Sequence, residues 1–68
     1  VTVNEWISSF AARLDAEPPS ASEIADILAI AAAAAHSSER LAAPIACWIA
    51  GQSGRSLGEL RQIAEELS

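Results

Sequence analysis

The chain has no lysine, one cysteine, one histidine and only four basic residues, all arginine. Nine carboxylates face those four guanidiniums, so the net charge is −5. A field of that sign repels phosphate backbones, and nucleic acid is not an expected partner. A lone Cys47 cannot form an internal disulfide, so no covalent framework supplements the core. Metal binding needs several His, Cys or carboxylate ligands at usable spacing, and the single histidine, single cysteine and scattered acids offer no such set. There is no glycine-rich phosphate loop and no calcium loop of alternating acids around a glycine. No metal and no cofactor is expected.

Long apolar runs are also missing. The longest, Ile27 to Ala35, follows directly on Asp26 and is far shorter than the ~20 residues a spanning helix requires. The start Val1-Thr2-Val3-Asn4-Glu5 lacks the basic residues of a secretory signal, so a cytoplasmic protein is expected.

What is present is apolar and rich in alanine. Hydrophobic residues make up 51% of 68 positions, and sixteen of them are alanine. A single domain of this length buries only about 60% of its unfolded surface, which leaves a thin stability margin.

Three start signals organise the chain. Thr2-Val3-Asn4-Glu5 reads as a capping box, in which the Thr2 hydroxyl accepts an orphan amide hydrogen and Glu5 reaches back to the cap. Trp6, Ile7, Phe10, Ala11 and Leu14 follow at the spacing of one helical face, and Pro18-Pro19 interrupts the linker Asp15 to Ser22. Ser20-Ala21-Ser22-Glu23 repeats the box and opens a second helix to about His36, with a main stripe of Ile24, Ile27, Leu28, Ala31 and Ala35. Ile30 and the remaining alanines make its later turns apolar nearly all round, as in a central helix or a small-residue face for self-association. After a polar connection from Ser37 to Ala43, Pro44 suits the first turn of a third helix whose buried side is Leu41, Ile45, Trp48 and Ile49. Gly51-Gln52-Ser53-Gly54 stops it, and a third box at Ser56-Leu57-Gly58-Glu59 starts a fourth helix carrying Leu57, Leu60, Ile63, Ala64 and Leu67. No stretch alternates like a strand. The expected fold is all-α, one domain over residues 1–68 in a compact bundle of about four short helices.

Candidate chemistry is sparse. Cys47 beside Trp48 reads as a small packed thiol, and no third group completes a Cys47–His36 nucleophilic pair. Trp6 and Trp48 sit within apolar stripes and are expected in the core rather than on an aromatic platform. One cluster stands out: His36, Glu39 and Arg40 place an imidazole, a carboxylate and a guanidinium within His36-Ser37-Ser38-Glu39-Arg40 at a helix end. They read as a turn brace that satisfies the last carbonyls of the second helix, or as an interaction site. No catalytic residue is nominated, and the chain is not expected to be an enzyme.

The stretch His36 to Pro44, followed by apolar Ile45 to Ala50 and Gly51, resembles a small actinobacterial helical domain family of unknown function that carries H-x-x-E-R-x-A-A-P before an apolar helix. The Trp6-Ile7 start, the Ile24 to Ala35 helix and the Ser56-Leu57 restart are similar too. Leu41 departs from the pattern, standing where proline is more frequent, and leaves the turn conformation open. Members occur alone or fused behind a nucleotidyltransferase similar to molybdenum-cofactor guanylyltransferases. The resemblance implies an accessory role near molybdopterin guanine dinucleotide metabolism, with a guanylyltransferase-like enzyme as partner. It implies no catalytic residue, since the transferase's glycine-rich, lysine-containing loop has no counterpart here. Three readings follow: a noncatalytic interaction module, a self-associating protein pairing through the alanine-rich side of the second helix, and a small-molecule binder using His36, Glu39 and Arg40.

Overall fold

The computed structural model describes residues 1–68 and contains four helices and no strand: α1 Val3–Arg13, α2 Ala21–Ser37, α3 Ala42–Ser53 and α4 Leu57–Leu67. Local chemistry sets most of their limits. At α1 the Glu5 amide donates to Thr2 Oγ1 at 3.1 Å and the Thr2 amide to Glu5 Oε1 at 2.8 Å; at α2 the Ser20–Glu23 pair repeats this at 3.2 and 2.7 Å. The α4 box is only half formed. Ser56 Oγ accepts from the Glu59 amide at 3.3 Å, but Glu59 Oε2 turns away to the Arg55 guanidinium at 2.8 Å. The salt bridge four residues apart takes the carboxylate that would otherwise have closed the box.

Two helix ends use the left-handed conformation. Asp15 has φ +55°, its amide bonds to the Ala12 carbonyl and the Ala16 amide to the Ala11 carbonyl, so α1 closes in a Schellman motif. Gly54, at φ +74°, closes α3, whereas Gly51 belongs to the helix itself and does not stop it. The third helix starts at Ala42, two residues before Pro44, because the Ala42 and Ala43 amides turn back to the Glu39 and Arg40 carbonyls.

Both α3 and α4 pack along α2, while α1 stands apart with no extensive contact to any other helix. The core sits where the three helices meet, and Ile30 is its centre at 4% exposure, with Ala33 beside it. The buried face of α2 is therefore offset from the expected stripe, and Leu28 points into solvent. A helix that is apolar nearly all round does not specify from its own pattern which face turns inward.

A larger correction falls on α3. Its expected buried residues Leu41, Ile45, Trp48 and Ile49 are all more than half exposed, and the side toward α2 is made of half-buried Ala43, Ala46, Cys47 and Ala50. Small side chains let α3 approach the alanine-rich α2 closely, a separation set by the residues at the contact, and the large ones are left outside. Both tryptophans, expected in the core, are on the surface: Trp48 is 67% exposed and Trp6 54%. Part of the alanine-rich side of α2 faces the other helices, where Ala33 and Ala34 line a depression of about 250 Å³ with Ala42, Ala46 and Ala64, while Ala25 and Ala32 stay exposed.

Candidate functional site

His36, Glu39 and Arg40 lie at the end of α2 and in the turn before α3, all exposed. No hydrogen bond or ion pair joins these side chains to one another. The closing carbonyls of α2 are met by other groups: Ser37 Oγ donates to the Ala33 carbonyl at 2.7 Å, and the Ser38 amide to the Ala34 carbonyl at 3.2 Å. Glu39 and Arg40 serve the turn through their backbone carbonyls, not their side chains. A serine one turn after Ala33 was a sequence signal for this bond, since a hydroxyl readily bonds back to the carbonyl four residues earlier.

His36 also lines an open depression of about 420 Å³ with Ala29, Ala32, Ala33, Glu65 and Ser68, between α2 and the end of α4. Glu39 and Arg40 do not reach it, so the three residues do not share a cleft.

One polar contact between helices was not anticipated. Arg61 on α4 donates to Asp26 on α2 at 3.2 Å and to Glu65 at 3.2 Å. Hydrogen bonding to Glu65 and then to Asp26 raises the Arg61 pKa above its ordinary value. The pair links α4 to α2; separated by 35 residues in sequence, it carries no local signal. At α1, hydrogen bonds from the Thr2 backbone and hydroxyl hold the Glu5 carboxyl below its ordinary pKa.

The feature with the largest extent is apolar. Along α3, Leu41, Ile45, Trp48 and Ile49 form an outward stripe, and α3 from Ala42 to Ser53 contains no charged residue. Along α1, Val3, Trp6, Phe10 and Leu14 are likewise exposed, with the Trp6 and Phe10 rings stacked at 5.0 Å. Between α3 and α4 an open groove of about 230 Å³ runs over Ile30, lined by Ile49, Leu60, Ile63 and Leu67 among others. Burying aromatic side chains such as Trp6 and Trp48 contributes strongly at protein interfaces.

No group of three or more His, Cys, Asp or Glu side chains is placed to hold a metal ion, and no helix is long and apolar enough to cross a membrane. No curated protein and no solved structure shows a significant match to the chain. Residues 1–67 match one described family over essentially their whole length. This four-helix chain is a member of the domain of unknown function family DUF6457.

Proposed function

We propose that the chain is a noncatalytic helical interaction module that docks on another protein through the outer faces of α1 and α3. The observation that carries this reading is the outward placement of Trp6, Phe10, Ile45, Trp48 and Ile49, each more than half exposed. Large aromatic and branched side chains held on helices lose water and little conformational freedom when covered, which suits them to be anchors. The H-x-x-E-R-x-A-A-P resemblance supports a setting in the cytoplasm of actinobacteria, beside or fused to a guanylyltransferase-like enzyme of molybdenum-cofactor metabolism.

The test is a calorimetric titration of the chain against a purified molybdenum-cofactor guanylyltransferase from the same genome. Binding that Trp48→Glu weakens at least tenfold is expected, and absence of heat across micromolar concentrations of both proteins overturns the assigned partner. Arg40→Ala, run in parallel, reports on the His36, Glu39 and Arg40 cluster. The Arg40 side chain makes no hydrogen bond, so its loss leaves the unfolding midpoint unchanged; weakened binding then assigns the cluster to the docking surface.

A further inference from the structure

The amount of surface left open bears on what covers it. The chain exposes 5292 Å², whereas a folded monomer of 7.1 kDa is expected to expose about 4,100 Å². Its radius of gyration is 12.4 Å against about 11 Å expected for this length. The excess of roughly 1,200 Å² exceeds the ~800 Å² that each partner contributes to a stable pair. The large apolar side chains left open include those of the α1 and α3 stripes.

We propose that a second copy of this chain covers them; this rests on the docking reading of these faces and makes the second copy a competitor of the guanylyltransferase for the same surface. The α3 stripe has the properties of a self-complementary surface. Leu41, Ile45 and Trp48 are spaced four and three residues apart and so run in one line along the helix, whose twelve residues span about 18 Å. Two such helices placed antiparallel across a two-fold axis set Trp48 of one copy against Ile45 and Leu41 of the other. An isologous contact of this kind requires only that one patch match itself. Each copy carries a charge of −5, so pairing is opposed by repulsion wherever carboxylates meet. The charge-free α3 is the helix along which two copies approach without that cost. The α3 stripe alone supplies roughly 500 Å² per copy, short of the ~800 Å² of a stable interface, so pairing through it is weak and reversible.

Sedimentation equilibrium over about 1–200 μM, with tryptophan emission recorded on the same samples, tests this. The expected result is a shift from 7.1 kDa to twice that mass, accompanied by a blue shift as the indoles leave water. Trp48→Glu and the milder Trp48→Ala weaken pairing at least tenfold while keeping the helical circular dichroism, because Trp48 is not used by the core. Leu28→Glu, on the exposed side of α2, leaves pairing unchanged. A monomer at every concentration overturns self-pairing, whether the indoles stay in water or become shielded by α1 folding back. So does growth into polydisperse aggregate, or a dimer that Trp48→Glu leaves intact. The guanylyltransferase titration is separate, so a monomer that binds the enzyme retains the docking reading and loses only the second copy.

Discussion

Ser20 and Ser56 both cap helices, yet only at Ser20 is the capping box closed. At Ser20 the hydroxyl accepts from Glu23 and the carboxylate returns the contact; at Ser56 the carboxylate is occupied by Arg55. Loss of a cap costs about 0.5–2 kcal/mol, and Ser20→Ala is expected in the upper half of that range with Ser56→Ala in the lower. Thermal unfolding by circular dichroism orders the two, because about 1 kcal/mol moves the midpoint of a domain this small by roughly 4–8 °C. The glycines make a second contrast. A methyl group added at Gly54 or Gly51 meets nothing within 4 Å, so only the backbone distinguishes them. Gly54→Ala places a side chain at φ +74° and should destabilise by about 1–2 kcal/mol, whereas Gly51→Ala within α3 should stabilise by about 0.5–1 kcal/mol. Opposite shifts in the melting midpoint are the expected outcome.

Among the elements, α1 differs from the rest. Its fold is local, made by a capping box at one end and a Schellman motif at the other, and α2, α3 and α4 take no large part in holding it. An eleven-residue helix is marginal in water without packing. Hydrogen exchange at low protein concentration should therefore find the α1 amides exchanging fastest of the four helices and those around Ile30 and Ala33 slowest. The start of α1 should also respond to acid. Because the folded Glu5 pKa lies below its unfolded value, ionised Glu5 stabilises the folded helix end. That contribution is fully present above the unfolded carboxylate pKa and is lost as pH falls through the lowered folded value. The NMR shifts of the Thr2 and Glu5 amides, followed through acid titration, should show the helix start fraying in that window and remaining intact at neutral pH.

For the molecule as a whole, size limits stability in a measurable way. The chain buries about half of the surface of an unfolded chain of its mass, less than the 60% expected at this length, and only Ala11, Ile30 and Ala33 are buried. A partner that covered the open faces of the folded state alone would add to its stability by mass action. With a second copy as the cover, the melting midpoint should rise as chain concentration increases from about 5 to 500 μM, and it should become independent of concentration in Trp48→Glu.

The sequence by itself determined what depends on near neighbours. Helix starts at Thr2, Ser20 and Ser56, the break at Pro18-Pro19 and the all-α class are set by hydroxyls, carboxylates and ring constraints acting over three or four residues. Membership of a domain family was legible in the motif from His36 to Pro44, and the whole-length match shows it. The direction in which each helix faces was decided only by tertiary structure. Periodicity ranks residues by hydrophobicity, and on α3 it favoured Leu41, Ile45, Trp48 and Ile49 for the inside, but close approach to an alanine-rich α2 favours whichever face is small. The same holds for the candidate site. Proximity in sequence suggested that His36, Glu39 and Arg40 converge, while the turn let them diverge and left its carbonyls to Ser37 and the backbone. The Asp26–Arg61 pair and the open stripes of α1 and α3 arise from distances across the fold, which no local pattern encodes.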